Sequence, residues 1–332
     1  MIELLNKIHH ADWLTNNLPD KSVQLIIADP PYFEVKGSFD FVWKSFDDYL
    51  KDVEKWAIEC KRILADNGTL FWYGHAKNIA YAQVIFDMHF NLINNLVWDK
   101  GSFMGLEESE GLRSFAPCTE RILMYDNCKN KTGLQGIQNN LELYKPIRDY
   151  FLEQKKNCNY TFKEINEKSF GTASNGGGMA SNILTSYKDG WTFPTKEKYE
   201  ALQKIGLCPK PYEELRKEYE ELRKEYEELR RPFANYFKLQ EIFRFSNEAV
   251  KTGAKYDHDT VKPETLTRAL ILTCSRPDDL VLAPFAGSGT EVAMAIKEGR
   301  KAIGYDIEKK YVDMANRRVD IIKAQPSLFC FA

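Results

Sequence analysis

The tetrapeptide Asp29-Pro30-Pro31-Tyr32 directly follows a short apolar run at residues 21–28. Prolines have no backbone N–H and restrict the residue before them, so the chain must leave a sheet here with unpaired carbonyl oxygens. An ionised Asp29 offers only acceptors, and Tyr32 adds an aromatic face. These groups suit a planar ring that carries an amino group. The alternative is a proline-rich strand end without chemistry.

A second stretch, APFAGSGTE at 283–291, lies between a predicted strand and a predicted helix. Gly287 and Gly289 permit a tight turn and the close approach of a ligand, and the helix start offers free N–H groups to a carboxylate. Asp306 ends the next predicted strand, where an acid can accept hydrogen bonds from ribose hydroxyls. This order favours an adenosine-containing cofactor over a purely structural turn.

Strands that alternate with helices predict the α/β framework that positions these residues. The predicted strands are 21–28, 69–74, 95–99, 121–125, 279–285 and 301–307, and the predicted helices are 46–65, 77–89, 290–299 and 311–324. The alternation fades after about residue 128 and resumes near residue 279. We therefore expect a doubly wound, mostly parallel sheet that a mainly helical insert interrupts in sequence.

Composition limits the class of protein and its partners. The 332 residues carry 46 basic and 48 acidic side chains, so a polyanion would have to be met by local basic patches. The seven cysteines form no CxxC pair, and with five histidines they show no zinc-ligand spacing. No apolar run reaches 18 residues, and no signal segment is visible, which predicts a cytoplasmic protein without a membrane span.

Together these segments resemble the β-class of S-adenosylmethionine-dependent DNA amino-methyltransferases, which act on adenine N6 or cytosine N4. The similarity covers about residues 1–128 and 245–322. DPPY resembles the catalytic motif of the family, and it precedes the cofactor motif, as in the β-class. The other matching segments are FAGSGT (285–290), GYDIEKKY (304–311), HDTVKPETL (258–266), VWDKG (97–101), TERILMY (119–125) and the stretch 11–26.

The resemblance implies a Rossmann-like class I methyltransferase domain, S-adenosylmethionine as cofactor and a set of site residues. The implied catalytic residues are Asp29, Pro30, Pro31 and Tyr32. The implied cofactor-binding residues are Asp12, Asp29, Pro30, His258, Thr260, Lys262, Pro284, Phe285, Gly287, Ser288, Gly289, Thr290 and Asp306. The chain departs from the family at Ala283, where an acid is usual, and in HDTVKP, which lacks a proline and a glutamine of the usual segment.

The implied activity is site-specific methylation of adenine N6 in duplex DNA, with the target base flipped into the DPPY pocket. Asp29, where a cytosine enzyme would have serine, favours adenine. Cytosine-N4 methylation stays open as an alternative, as does a catalytically weak DNA-binding protein on the same scaffold, which Ala283 motivates. The expected setting is the nucleoid of a bacterial or phage-infected cell, with or without a separate restriction nuclease.

The expected domains are a catalytic half at 1–128, a target-recognition insert at 129–245 and a cofactor-binding half at 246–332. Residues 145–170 predict a helix-turn-helix whose Lys155, Lys156, Lys163 and Lys168 would meet DNA phosphates; the alternative is a helical lid. The YEELRKE repeat at 212–230 predicts a helix whose apolar seam packs on the domain core or, alternatively, a helix that spaces the recognition elements or pairs in a homodimer. Gln325, Leu328 and Phe329 resemble a sliding-clamp-binding peptide; the alternative is a packed tail.

Overall fold

The computed structural model describes residues 2–35, 38–101, 111, 113–115, 117–127, 144–172, 178–185, 193–245 and 261–324. The chain divides into two compact units, a larger one of Met1–Gly136 with Arg231–Ala332 and a smaller one of Ile137–Arg230. The smaller unit therefore begins later than the predicted insert, which started at residue 129. It also ends earlier than the predicted end at residue 245, because residues 242–244 pair with the sheet of the larger unit. None of the described helices combines the length and the apolarity that crossing a bilayer requires.

An eight-stranded sheet forms the centre of the larger unit, in the order β1-β8-β7-β2-β3-β5-β4-β6. Strand β5 is antiparallel to β3 and β4, and every other neighbouring pair is parallel, so the predicted mostly parallel sheet is confirmed. The strands are β1 Lys7–His10, β2 Val23–Ala28, β3 Leu64–Gly74, β4 Asn91–Asp99, β5 Thr119–Asp126, β6 Ile242–Arg244, β7 Leu280–Ala283 and β8 Lys301–Asp306.

Helices cover both faces of this sheet. They are α1 Phe46–Ile63, α2 Ile79–Asp87, α8 Glu264–Cys274, α9 Thr290–Lys297 and α10 Lys309–Lys323. Successive residues of a strand point to opposite faces. Ile27 and Tyr73 accordingly belong to the apolar layer beneath α8, α9 and α10, whereas Ala28 and Trp72 belong to the layer beneath α1 and α2. Burial on both faces explains why these strands read as continuous apolar runs.

Some of the strand bounds predicted from the sequence were wrong. Strand β4 begins at Asn91 rather than at residue 95, and β3 begins at Leu64, although Asn67-Gly68 predicted a turn there. The chain stays extended through Gly68 because the pairing of β2 with β3 shifts register instead of ending. Strands β1 and β6 escaped prediction because three or four residues with charged or aromatic side chains carry too little alternation.

Strands β7 and β2, the third and fourth of the sheet, are parallel neighbours whose connections diverge. After β7 the chain passes through α9 to β8 on one side, and after β2 it passes through α1 to β3 on the other. In open α/β sheets such a divergence leaves a crevice at the carboxyl ends of the strands, where ligands bind. DPPY directly follows β2 and the glycine-rich turn directly follows β7, so both segments lie at this crevice.

The smaller unit consists of helices in its described parts. They are α3 Lys145–Lys156, α4 Phe162–Phe170, α5 Gly178–Leu184, α6 Lys196–Gln203 and α7 Tyr212–Leu229. The predicted helix-turn-helix at 145–170 is present as α3 and α4. Thr161 and Glu164 form a capping box that starts α4, and Gly171 ends it in a left-handed conformation.

The YEELRKE repeat forms α7, and the apolar seam of this helix is divided along its length. Leu215 is only 1% exposed and belongs to the core of the smaller unit, where Tyr219 and Leu222 also pack. Leu229, near the end of the seam, is 61% exposed. The first half of the seam therefore packs on the domain core, as one of the two sequence hypotheses states.

Replacement of Leu215 by alanine should destabilise the smaller unit by about 2–5 kcal/mol, because it leaves a cavity in a packed core. Leu229→Ala is the matched control on the same seam and should change the free energy of unfolding by less than about 0.5 kcal/mol. Chemical denaturation followed by helical circular dichroism measures both values. Equal effects of the two substitutions would contradict this division of the seam.

Candidate active site

Six strand ends bring polar residues to the same edge of the sheet. Strands β1, β8, β7, β2 and β3 are parallel, so the residues that follow them share this edge. Because β5 runs in the opposite direction, its start rather than its end lies here, and it contributes Glu120. Lys100 follows β4, which runs antiparallel to β5 and so also ends at this edge. Because these residues are far apart in the chain, their proximity could not be predicted from the sequence.

A network of ion pairs surrounds Asp29. The Lys262 ammonium lies 2.9 Å from Asp29 Oδ2 and 3.1 Å from Glu120 Oε2. Lys100 Nζ lies 3.0 Å from Glu120 Oε1, and the Tyr32 hydroxyl donates to Asp29 Oδ1 at 2.6 Å. We call these five residues the Asp29 cluster. Its two lysines and two carboxylates balance in charge, which permits their burial.

Burial and the charges within the Asp29 cluster shift the pKa values of Glu120, Lys262 and Tyr32. Burial raises the pKa of Glu120, but the charges of Lys262 and Lys100 outweigh burial and lower that pKa to about 2. Burial lowers the pKa of Lys262, but Asp29 and Glu120 outweigh it and raise that pKa above its usual value. Burial, with the charges of Asp29 and Glu120, raises the pKa of Tyr32 well above 10. Tyr32 is therefore a neutral donor at physiological pH.

Aromatic rings enclose the Lys262 ammonium. Its Nζ lies 5.1 Å from the ring centre of Tyr73, 5.7 Å from that of Trp98 and 5.9 Å from that of Tyr32. Such positions attract a cation through the negative faces of the rings. The lysine is thereby held in place from several sides, and Asp29 is held by the lysine.

The backbone of the DPPY loop is also fixed. The Tyr32 N–H donates to the carboxylate of Asp40, which is 1% exposed. The side-chain amide of Asn78 donates to the carbonyl of Phe33 at 2.8 Å. Two buried polar side chains from outside the motif therefore set the path of the chain after Pro31.

The glycine turn between β7 and α9 is closed by Asp306. Its carboxylate accepts hydrogen bonds from the N–H groups of Gly287 and Glu308, each at 2.8 Å. Gly289 has a φ of 72°, and a Cβ there would lie 2.7 Å from the Cβ of Ala315. Only glycine fits this position, because a side chain would be strained and would also clash.

Arg318 of α10 links the glycine turn to two helices. Its guanidinium donates to the Ser288 carbonyl at 3.2 Å, to Thr290 Oγ1 at 2.8 Å and to Glu264 Oε1 at 2.7 Å. Glu264 opens α8, directly after Lys262 and Pro263. One buried arginine thus ties the glycine turn to the segment that supplies Lys262.

The model of the DNA methylase family matches residues 23–317 of the chain. The chain belongs to this family. Its methyl donor is S-adenosylmethionine. The match covers the DPPY loop, the Asp29 cluster, the glycine turn and Asp306, together with the whole smaller unit.

Curated relatives are similar over most of their length. This methylase is 26% identical to the type II methyltransferase M.HinfI of Haemophilus influenzae, over 98% of this chain and 71% of that protein. It is 27% identical to the DNA adenine methyltransferase YhdJ of Escherichia coli K12, over 95% of this chain and 82% of that protein.

Solved structures share the fold of this methylase. The M1.HpyAVI complex with S-adenosylmethionine has a TM-score of 0.52 at 17% identity, over 95% of this chain and 98% of that one. The cytosine-N4-specific PvuII DNA methyltransferase has a TM-score of 0.52 at 13% identity, over 95% of this chain and 89% of that one.

The predicted cofactor residues occupy the edge of the sheet from β1 to β2. Asp12 is exposed and caps a short helical turn by accepting from the Leu14 N–H at 3.0 Å. The neighbouring Ala11 N–H donates to the Asp306 carbonyl at 3.1 Å, so these two acids are close in the fold. Phe285 packs among tryptophan rings at the base of the glycine turn. His258 and Thr260 lie outside the described residues.

Lys262 was predicted to bind the cofactor, and its described partners are Asp29 and Glu120. Asp306 was predicted to bind ribose, and its carboxylate accepts the backbone N–H groups of Gly287 in the glycine turn and of Glu308 after β8. The cofactor roles of both residues stay predictions.

A glycine turn without side chains and the start of α9 suit the anionic part of an amino-acid ligand. Two buried polar groups nearby lack hydrogen-bond partners among the described residues, the Oε1 of Glu291 and the hydroxyl of Tyr73. Each such group costs about 1–3 kcal/mol when left unpaired. A polar ligand that reached them would remove this cost, so the crevice has the donor and acceptor set that S-adenosylmethionine requires.

Sequence reasoning did not single out four residues of this region: Glu120, Lys100, Tyr73 and Glu291. The first two stand in segments that resemble the family, TERILMY and VWDKG, but their position at the sheet edge depends on the direction of β5. A signal did exist for Glu291, because a charged residue follows FAGSGT in a helix that is otherwise buried.

Glu291 provides a test of the electrostatics of the crevice. Burial, and then the charge of Asp29, raises the pKa of its carboxyl from 4.5 to about 7, although a hydrogen bond from its own backbone N–H and the charges of Lys262 and Arg318 oppose this. Between pH 4.5 and pH 7 the folded chain therefore binds more protons than the unfolded chain. The contribution of Glu291 to the free energy of unfolding therefore decreases as the pH rises.

We expect Glu291→Gln to abolish this loss of stability. The difference in unfolding free energy between the variant and the wild type should grow by about 2.5 kcal/mol in favour of the variant between pH 5 and pH 8. Denaturant titrations at several pH values, followed by tryptophan fluorescence, give this difference. A difference that stays constant with pH would show that Glu291 is ionised throughout.

Proposed function

We propose that this DNA methylase transfers the methyl group of S-adenosylmethionine to the N6 amino group of adenine at specific sites in duplex DNA. The observation that supports it most is the position of Asp29. Its carboxylate is held between Lys262 and Tyr32 at the crevice between β2 and β7, beside the glycine turn. The similarity to YhdJ, a DNA adenine methyltransferase, supports adenine as the target.

The proposed reaction depends on acceptors. A base inside a duplex is out of reach, so the target adenine must be flipped into the crevice. The free acceptor positions of Asp29 and the carbonyl of Pro30 would then hold the two hydrogens of the amine and leave the nitrogen lone pair available. When bound, S-adenosylmethionine supplies an electrophilic methyl group, and an in-line displacement then depends chiefly on alignment.

Lys262 and Glu120 act in this scheme as positioning residues. Lys262 fixes one oxygen of Asp29, and Glu120 fixes Lys262 from the opposite side. Both partners are nearly buried, with side-chain exposures of 6% and 14%, so the geometry of the carboxylate is set before a base arrives. Tyr32 fixes the other oxygen through its hydroxyl, which leaves its ring as the surface for the stacking that the sequence predicts.

Asp29→Ala should lower the rate of methyl transfer by at least about a thousandfold, because it removes the acceptor for the amine. Affinity for duplex DNA should change less than about threefold, since DNA affinity comes mainly from phosphate contacts. Transfer of a tritiated methyl group to DNA and a filter-binding assay measure the two quantities. Asp47→Ala, at an exposed position in the first turn of α1, is the control and should keep full activity.

Nucleoside analysis of the same methylated DNA identifies the product. N6-methyladenine is expected. N4-methylcytosine would support the second candidate, which the fold of the PvuII enzyme keeps open. Absence of methylation with intact DNA binding would favour a DNA-binding protein on this scaffold, and full activity of Asp29→Ala would exclude the mechanism. Methylation-aware sequencing of DNA from cells that express the chain adds the sequence context.

We further propose that the smaller unit reads the target site. Helices α3 and α4 form the expected helix-turn-helix, and Lys156, Lys163 and Lys168 are exposed. Lys155 is partly buried, so it offers less to a phosphate than the other three. A homodimer, a separate nuclease and a sliding-clamp partner also remain proposals. Gln325, Leu328 and Phe329 lie outside the described residues.

Removal of Lys163 and Lys168 should weaken DNA binding in a salt-dependent way. Each lost phosphate contact lowers the slope of log K against log salt by about 0.9, so the double alanine variant should lose about 2 from the slope. Fluorescence anisotropy with a labelled duplex at several salt concentrations provides the slopes. Lys21→Ala, at the opposite edge of the sheet before β2, is the control, and an unchanged slope in the double variant would assign α4 to a lid.

A further inference from the structure

A third acid lies on the floor of the crevice and has no role in the mechanism above. Glu291 is in the first turn of α9, directly after the glycine turn, and is 4% exposed. The charge of Asp29 acts on it, and its own charge acts on the hydroxyl of Tyr73. Glu291, Tyr73 and Asp29 are therefore near neighbours beneath the Lys262 ammonium.

Two polar groups in this part of the crevice lack hydrogen-bond partners among the described residues. Glu291 Oε1 and the Tyr73 hydroxyl have no hydrogen-bond partner among the described residues, although both are fully buried. Buried polar groups in native proteins are nearly always paired, so two neighbouring exceptions require an explanation. A carboxylate and a phenol oxygen can both accept hydrogen bonds, which indicates a ligand that carries several donors.

The charges of the crevice point to a cation. Lys262 and Lys100 balance Asp29 and Glu120, and Arg318 pairs with Glu264. An ionised Glu291 has no ion-pair partner among the described residues, so it adds a negative charge to the crevice. Ala283, at the end of β7, has no polar side chain that could balance this charge. An ion pair that forms in such a buried place is far stronger than one on the surface.

We propose that Glu291, assisted by the Tyr73 hydroxyl, forms the subsite for the α-ammonium group of the methionine portion of S-adenosylmethionine. This inference rests on the proposed function, since it assigns a residue to the same cofactor. The carboxylate of that portion would meet the free N–H groups at the start of α9, next to the ammonium. The affinity for the amino-acid end of the cofactor would then depend on a residue outside the glycine motif.

Three ligands separate this role from others in calorimetric titrations of the full chain without DNA. S-adenosylmethionine has an ammonium and a sulfonium, S-adenosylhomocysteine keeps only the ammonium, and 5′-methylthioadenosine has neither. Glu291→Gln should weaken the first two ligands by about 10- to 100-fold, the loss expected for a charged hydrogen bond, and should leave the third within twofold. Tyr73→Phe should give a smaller loss of about two- to fivefold with the same selectivity.

Asp313→Asn is the matched control, because it removes one negative charge from an exposed position of α10. It should leave all three affinities unchanged. Equal weakening of all three ligands by Glu291→Gln would indicate a packing role and overturn the assignment. A loss confined to S-adenosylmethionine would place the sulfonium there instead, and wild-type affinity in both variants would also overturn it. If the wild type itself bound no S-adenosylmethionine, the proposed function would fail first.

Discussion

The active site of this methylase depends on one ammonium group that lies between two carboxylates. Lys262 is within 2.9 Å of Asp29 and 3.1 Å of Glu120, and its side chain is only 6% exposed. Without Lys262, Asp29 would lose its cationic partner and Glu120 would keep only Lys100, and a buried charge that loses its partner is strongly destabilising. The orientation of the acceptor that defines the DPPY motif therefore comes from residues far away in sequence.

The direction of β5 makes this arrangement possible. If β5 were parallel to β3, its start would lie at the far edge of the sheet, and Glu120 could not reach Lys262. The antiparallel pairing from Thr69 with Asp126 to Gly74 with Arg121 reverses it. A single antiparallel strand thus contributes Glu120 to the Asp29 cluster, since it brings a strand start to the edge where the other strands end.

Arg318 ties the glycine turn to the segment that supplies Lys262. The arginine contacts the carbonyl of Ser288 in the glycine turn and the carboxylate of Glu264 at the start of α8. Lys262 stands two residues before Glu264, so movement of the glycine turn would be transmitted to the lysine that holds Asp29. Such a connection through buried hydrogen bonds gives the crevice a defined shape before ligands bind.

Most of the framework followed from the sequence because its signals are local. Alternating apolar runs indicated the central strands, and DPPY and FAGSGT identified the segments after β2 and β7, since proline and glycine impose their backbone geometry wherever they occur. The short strands β1 and β6 and the extended passage through Gly68 were missed, because their conformation is set by pairing with distant strands rather than by their own residues.

The sequence by itself determined the class of fold, the motif residues at the crevice and the helical character of the insert. Only the tertiary structure decided that Lys262 holds Asp29, that Glu120 and Lys100 complete the network, and that Glu291 lies buried with its Oε1 unpaired among the described residues. These relations depend on strand order and direction, and the ion pairs join residues that are widely separated in the chain. Coulomb energies and burial act through distances in space, which a linear sequence does not contain.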